Sequence, residues 1–301
     1  MNILILGGNG YIGSALYKNL QEYDVNSIDR CFFGKNLGYS IDKNISKITK
    51  EDLEKYNIVI LLASHSSVGL CQYDKPGSIK NNIVNAIHIT ELLKDHQKFI
   101  YASSASVYGA QPDPCIETQM GYQTYNWYDI TKQTLDVYME SLIRIGKPII
   151  GLRFGTVCGP SPNTRKDLFI NNMVHNAINN HNLWYNNGYA KRSVLTIKDL
   201  ITAFNAIIHN NFVSGIYNLK SFDTTIYQAV EIVSSTFDVP IEHRPDTISY
   251  NFTLDQTLFC KTFDWQPCNV LQDVIMDLSK ASDYSSWCDR EKWSNKDGYE
   301  F

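Results

Sequence analysis

Short apolar runs and helical repeats alternate through the first half of the chain. Asn2 to Leu6 (N-I-L-I-L), Val25 to Asp29, Ile58 to Ala63, Lys98 to Ala102 and Pro148 to Phe154 read as strands. Runs this apolar suit strands covered on both faces. Between them, Tyr11 to Glu22, Pro76 to Leu93 and Trp127 to Ile145 carry helical spacing. Strand and helix in alternation predict an α/β fold, a doubly wound parallel sheet with right-handed crossovers.

Beyond Pro160 the pattern changes. Leu168 to Asn179 is helical, and Asn186-Asn187-Gly188 marks a tight turn. Leu195 to Ile208 reads as a helix capped near Thr196 or Asp199, followed by a short strand from Gly215 to Asn218. Thr225 to Phe237 and Val270 to Ser279 supply the last helices. This half predicts a smaller C-terminal α/β lobe, some of whose elements return to the main sheet. The expected division is 1–160 with about 194–220 for a nucleotide-binding domain, 161–193 and 221–282 for a substrate-binding lobe, and 283–301 as a tail.

With 301 residues, 44% of them hydrophobic and 19% charged, the chain can bury a substantial core. A net charge of -4 gives no electrostatic footprint for nucleic acid or an anionic membrane, so neither is an expected partner. No apolar run approaches the ~18 residues of a membrane span, and Met1 leads straight into a strand with no basic leader. The expected location is the cytoplasm. The seven cysteines are irregularly spaced, with no Cys-x-x-Cys and no histidine cluster at zinc spacing. They read as reduced thiols, mostly buried, and no metal is expected.

Gly7-Gly8-Asn9-Gly10-Tyr11-Ile12-Gly13 follows the first strand and opens the first helix. Gly7 permits a tight turn, Gly10 lets backbone approach a pyrophosphate, and Gly13 allows helix and strand to pack closely. The helix N-terminus then offers free N–H groups to phosphate. Asp29 ends the second strand about 19 residues after Gly10, where an acid would hold ribose hydroxyls. A carboxylate there repels a 2′-phosphate, which favours NAD over NADP, although the neighbouring Arg30 would accommodate one. Asp42 either approaches the adenine or is an exposed loop carboxylate.

Tyr128 and Lys132 stand one helical turn apart and so share a helix face. A phenol is a poor base at neutral pH, and a nearby ammonium favours its phenolate. About 24 residues upstream, Tyr101-Ala102-Ser103-Ser104-Ala105-Ser106-Val107-Tyr108-Gly109 lies where a buried strand gives out, the edge at which open α/β sheets bind ligands. A serine hydroxyl there suits a substrate oxygen while Tyr128 exchanges its proton, and Ser104 is the best placed of the three.

These residues together resemble an extended short-chain dehydrogenase/reductase of the nucleotide-sugar epimerase/dehydratase family. The likeness runs over about residues 2–280. It includes Leu152-Arg153-Phe154-Gly155-Thr156-Val157-Cys158-Gly159-Pro160, Lys191-Arg192-Ser193-Val194, Tyr217-Asn218-Leu219 and Phe263-Asp264-Trp265-Gln266-Pro267. The resemblance implies Tyr128 as acid/base, Lys132 on the nicotinamide ribose and Ser104 orienting the reacting hydroxyl. It also implies cofactor contacts from the glycine loop, Tyr11, Ile12, Asp29, Arg30, Ala63, Asn82 and Ser103. Ser106 joins Ser104 on the substrate side, and Arg192 and Arg244 become candidates for the sugar-nucleotide diphosphate, the alternative for each arginine being a surface ion pair. Asn82 is alternatively a polar residue of its helix.

Relatives that eliminate water carry two carboxyl residues after the catalytic Ser/Thr, where this chain has Ala105-Ser106. The Glu of decarboxylating relatives and the Cys of epimerase–reductases are also absent at Ser106. What remains is hydride chemistry at sugar C-4. The expected activity is a nucleotide-sugar 4-epimerase with retained NAD and a UDP-hexose-like substrate; the alternatives are a 4-reductase or 4-dehydrogenase with exchanging NAD(P)(H), or a non-catalytic NAD-binding member. By the same resemblance the chain is expected to form a homodimer through the helix bearing Tyr128, whose Ile130, Leu135, Val137, Tyr138 and Leu142 fit either that face or the sheet. Tyr122, Tyr125 and Trp127 are either substrate-stacking groups or loop packing.

Overall fold

The computed structural model describes residues 1–32, 34–110, 114–119, 126–247, 249 and 251–281. Tyr122, Tyr125, Cys288 and the tail 283–301 lie outside them. The first half is built from β1 (Asn2–Leu6), α1 (Tyr11–Asn19), β2 (Asp24–Asp29), β3 (Ser40–Asp42), α2 (Lys50–Leu53) and β4 (Ile58–Leu61). It continues with α3 (Val68–Tyr73), α4 (Lys75–Ile79), α5 (Asn85–Leu92), β5 (Lys98–Ser104), α6 (Trp127–Arg144) and β6 (Ile149–Phe154). The second half runs β7 (Thr156–Cys158), α7 (Phe169–Ile178), β8 (Leu183–Tyr185), β9 (Lys191–Thr196), α8 (Ile197–His209) and β10 (Gly215–Leu219). It closes with β11 (Phe222–Thr225), α9 (Ile226–Phe237), β12 (Ile241–His243), α10 (Thr257–Phe263) and α11 (Leu271–Lys280).

Seven parallel strands form the main sheet in the order β3-β2-β1-β4-β5-β6-β10. The order reverses between β1 and β4, and such a switch point opens a crevice beyond the carboxyl ends of the strands. Alternating β1 side chains feed two cores. Ile3 and Ile5 pack with α1, α8 and α10, whereas Leu4 and Leu6 pack with α2, α5 and α6. This is why the run N-I-L-I-L is apolar throughout: both faces of the sheet are covered.

The smaller lobe has its own core, in which Ile170, Val174, Ala229, Val233, Val274 and Leu278 of α7, α9 and α11 pack together. A three-stranded sheet, β11-β9-β7, and a β12-β8 pair complete it. Lys191–Thr196 is a strand directly preceding α8, so the helix expected from 195 starts at 197, with Thr196 Oγ1 accepting the Asp199 N–H at 3.0 Å.

The expected helix from 76 to 93 is interrupted. A π-helical turn at Lys80–Val84 separates α4 from α5. Such a turn adds a residue per coil and re-aims the side chains around it, and here Asn82 is turned inward and buried. Leu135, Tyr138 and Leu142 of α6 pack toward the sheet, while Ile130 and Val137 are exposed. Of the six described cysteines only Cys71, Cys115 and Cys158 are buried; Cys31 and Cys260 are partly exposed and Cys268 is exposed, fewer buried than expected. Among the described residues no helix is long and apolar enough to cross a membrane, and none gathers three or more metal-ligating acids, histidines or cysteines.

Candidate active site

A cleft of about 530 Å³ opens at the switch point. Its floor is the glycine loop, because no side chain fits there. A Cβ on Gly13 would stand 2.1 Å from the Gly7 carbonyl oxygen, and one on Gly7, at φ +96°, 2.5 Å from the Ala63 nitrogen. Gly7, Gly10, Tyr11, Ile12 and Gly13 all line the cleft, as does Ala63 just past β4. Asp29 and Arg30 follow at the end of β2. The Asp29 carboxylate accepts the N–H of Asn9 and of Cys31, both at 2.9 Å. Burial raises its pKa, against those backbone donors.

Asp42 and Asn82 stand outside the lining. Asp42 is exposed and does not line the cleft; the chain's next residues, Lys43, Asn44 and Ile45, do. β3 carries Asp42 past the rim, and the following turn, capped by Asn44 on the Ser46 N–H, folds back toward the cleft. Asn82 also stays behind the wall. Its amide accepts the His65 N–H at 2.7 Å and donates to the His65 carbonyl at 3.1 Å and to Thr131 Oγ1 at 2.9 Å. Asn82 thereby holds the loop after β4, of which Ser64 to Ser67 line the cleft.

The opposite wall carries the candidate chemistry. Ser103, Ser104 and Ser106 at the end of β5 and Tyr128 and Lys132 on α6 all line it. Asn126 caps α6 on the Asp129 N–H at 3.0 Å, which sets Tyr128 in the first turn and Lys132 in the second. Ser104 Oγ lies 3.0 Å from Ser106 Oγ, and its hydroxyl stands where it favours the Tyr128 phenolate. Ser103 Oγ is buried with no hydrogen-bond partner among the described residues, a polar atom awaiting a ligand in a cleft that offers one a place.

The electrostatics differ from the simple pairing expected. Burial pushes the Tyr128 phenol up, and the groups that oppose this are the Ser104 hydrogen bond and the charge of Arg165. Lys132 instead turns its ammonium to the Ala102 carbonyl at 2.8 Å, with Nζ 5.9 Å from the centre of the Tyr128 ring. Burial lowers Lys132 to about 8, with Asp136 one turn further along pulling the other way.

Asp136 belongs to a buried network. Its carboxylate accepts from Arg153 Nε at 2.8 Å and from the Tyr101 hydroxyl at 2.9 Å. Arg153 also donates to the Tyr108 hydroxyl at 2.9 Å, which in turn donates to Asn218 Oδ1 at 2.6 Å. Burial works against the Arg153 charge, but Asp136 and Tyr108 outweigh it and hold the guanidinium protonated. Arg153 and Asn218 of the Leu152–Pro160 and Tyr217–Leu219 motifs thus brace α6 against β5, β6 and β10.

Arg192 is partly exposed. Its guanidinium packs 4.7 Å above the Phe252 ring, which lines the cleft, and donates to Ser249 Oγ at 3.0 Å. Arg244 is remote from the cleft lining: it is exposed, lies over Trp184 and pairs with Glu242 at 3.3 Å. Trp127 stands beside the entrance of α6, with Lys75 Nζ 5.5 Å over its ring. Sequence reasoning missed Asn163 and Arg165, both of which line the cleft. Arg165 forks onto Asp167 at 2.8 and 3.1 Å and donates to the Ser66 carbonyl at 3.2 Å. Neither sits in a local motif that marks it; each matters only because the fold brings distant loops together.

Solved structures share this architecture. The chain is similar to UDP-glucose 4-epimerase from Thermotoga maritima, at 21% identity over 93% of this chain and 98% of that chain, with a TM-score of 0.82. It is similar to UDP-glucuronic acid 4-epimerase from Bacillus cereus in complex with UDP-glucuronic acid and NAD, at 21% identity over 93% of this chain and 98% of that one, TM-score 0.81. It is also similar to dTDP-glucose 4,6-dehydratase from Bacillus anthracis in complex with NAD, at 22% identity over 95% of this chain and 98% of that one, TM-score 0.80. At such identities the likeness establishes the Rossmann-like fold. The model of the NAD dependent epimerase/dehydratase family matches residues 3–219, most of the chain, including the glycine loop and the wall that carries Ser104, Tyr128 and Lys132, and the chain belongs to that family of enzymes.

Proposed function

We propose that this protein is a cytoplasmic nucleotide-sugar 4-epimerase that works by transient oxidation at sugar C-4 with NAD as a resident cofactor. The observation that carries this reading is the cleft lining. Ser104, Tyr128 and Lys132 face the same space as the glycine loop, and among the described residues the carboxylates of the lining are Asp29 and Asp167 alone. Asp29 is bound to the glycine loop and Asp167 to Arg165, so no carboxyl pair of the described residues stands beside Ser104 to remove water. Solved neighbours that bind UDP-glucose or UDP-glucuronic acid support a UDP-sugar as the substrate class.

The site fits a dinucleotide. At the glycine floor backbone packs directly on backbone, where a Cβ on Gly7 or Gly13 would clash, the α1 N-terminus suits pyrophosphate, and Ser103 Oγ is a buried hydroxyl without a partner among the described residues. Gly7 to Gly13, Asp29, Arg30 and Ala63 would hold the adenosine diphosphate half, and Lys132 the nicotinamide ribose. The chemistry NAD supplies when bound is reversible hydride acceptance from sugar C-4. Tyr128, in its phenolate form, takes the C-4 hydroxyl proton at Oη as the ketone forms and returns it as the hydroxyl is restored; Ser104 and the Arg165 charge favour that form against burial. Ser104 orients that hydroxyl, and Ser106 holds Ser104 from the side. Arg192 is not itself in the lining but stacks on Phe252, which is, and from there would meet the diphosphate of the sugar nucleotide.

Denaturing the purified protein and identifying the released nucleotide, then supplying UDP-sugars to native enzyme without cofactor, tests the reading. Bound NAD and conversion to the 4-epimer are expected. An empty site with turnover only on added NAD(P)(H) would replace it with a 4-reductase or 4-dehydrogenase.

The Lys132 ammonium sets an alkaline limit. With its pKa lowered to about 8 it is charged at neutral pH and discharges as pH rises through that value. A pH–rate profile of kcat/KM is therefore expected to fall on an alkaline limb near 8. A profile flat from pH 7 to 10 would remove the Lys132 charge from the mechanism.

A further inference from the structure

The segment from Gly159 to Leu168 joins β7 to α7 and runs along the cleft, where Asn163, Arg165, Asp167 and Leu168 form part of the lining. It is bound to each of the three loops that make the dinucleotide cradle. To the glycine loop and α1, Asn163 Nδ2 donates to the Asn9 carbonyl at 2.6 Å, and Ser161 Oγ donates to the Tyr11 carbonyl at 2.6 Å. To the loop after β2, Asn163 accepts the Lys35 N–H and donates to the Lys35 carbonyl, both at 2.9 Å. To the loop after β4, Arg165 donates to the carbonyl and hydroxyl of Ser66, both at 3.2 Å.

The segment is itself fixed. Ser161 and Thr164 bond reciprocally at 2.8 and 2.7 Å, and buried Asn171 donates to the Arg165 carbonyl while accepting the Gly159 N–H. Asn163 is only 2% exposed, and the Gly34 backbone passes so close that a Cβ there would stand 2.7 Å from its Cγ.

We propose that Gly159–Leu168 is a strap that locks the dinucleotide into the cleft, with Asn163 as its central latch. A cofactor lying between the glycine loop, the loop after β2 and the loop after β4 leaves only when those loops part, and the strap ties all three. This rests on the reading of the cleft as an NAD site and adds what makes that NAD resident. Asn163 is a positioning residue: it acts on Asn9 and Lys35, not on the reacting atoms.

The test compares wild type, Asn163→Ala and Asn163→Asp for NAD retained through gel filtration, for the rate at which bound NAD is released, and for the added NAD that gives half-maximal turnover. Loss of three hydrogen bonds, one buried and two part-buried, predicts release about 10- to 100-fold faster in Asn163→Ala. The added NAD required is expected to rise in step, with a smaller change in kcat. Asn163→Asp keeps an acceptor for the Lys35 N–H and is expected to fall between. If Asn163→Ala does not fold, Asn163→Asp carries the comparison alone. Wild-type release rates in the variants, with NAD bound to all of them, overturn the strap and leave the NAD site standing. A wild-type protein that neither retains nor binds NAD overturns the site itself and the strap with it.

Discussion

Tyr128→Phe is expected to lower kcat by about 10²- to 10⁴-fold, the usual contribution of a positioned acid/base. The substitution removes one oxygen and leaves the ring, so α6 keeps its packing. The phenol is buried and raised in pKa, and Ser104 and the Arg165 charge are what hold it down. Steady-state epimerisation of a UDP-sugar, with circular dichroism to confirm the fold, makes the measurement. A variant with wild-type turnover would end the assignment of Tyr128 and, with it, the C-4 oxidation mechanism.

Asp136→Ala is expected to cost about 3–5 kcal/mol of folding stability, the scale for removing one partner of a buried ion pair. Asp136 and Arg153 are 1% and 2% exposed, so water cannot replace the lost carboxylate. Arg153 Nε and the Tyr101 hydroxyl would both lose their acceptor, and the guanidinium its counter-charge. The double variant Asp136→Leu/Arg153→Met removes both charges and is expected to cost less than the single one, because no charge is stranded. Urea denaturation of the two variants checks the order. A single variant within about 1 kcal/mol of wild type would show that the network is solvated or that it relaxes.

Elements with a strong local signal were legible in the sequence. N-I-L-I-L followed by a glycine loop announces β1 and α1, and the Tyr128–Lys132 spacing announces a shared helix face. The three-residue strand β3, partly exposed and polar at both ends, carries no pattern at all, so nothing local says which residues of the following turn reach the cleft. Asn163 was invisible for another reason: its partner Asn9 is 154 positions away, and no local rule links the two. Lys132 lies on the wall that its spacing from Tyr128 implies, and the fold adds a contact the spacing does not show. The spacing shows that it shares a face with Tyr128, but only the fold shows that the Ala102 carbonyl is nearer. Arg244 resembled a motif arginine, and the pairing of β12 with β8 sets it over Trp184 and beside Glu242, outside the cleft lining.

The neighbour of β6 at the sheet edge, β10, is supplied only after the chain has built β7, α7, β8, β9 and α8. During synthesis at about 5–20 residues per second, β6 therefore waits roughly 3–12 s with an open edge while the intervening ~60 residues emerge. Its six residues, all buried in the finished molecule, offer an apolar template to any other nascent strand in that interval. The tie between the two halves that shapes the cleft thus also defines a window of vulnerability on the ribosome, and chaperone dependence in the cell would be concentrated there.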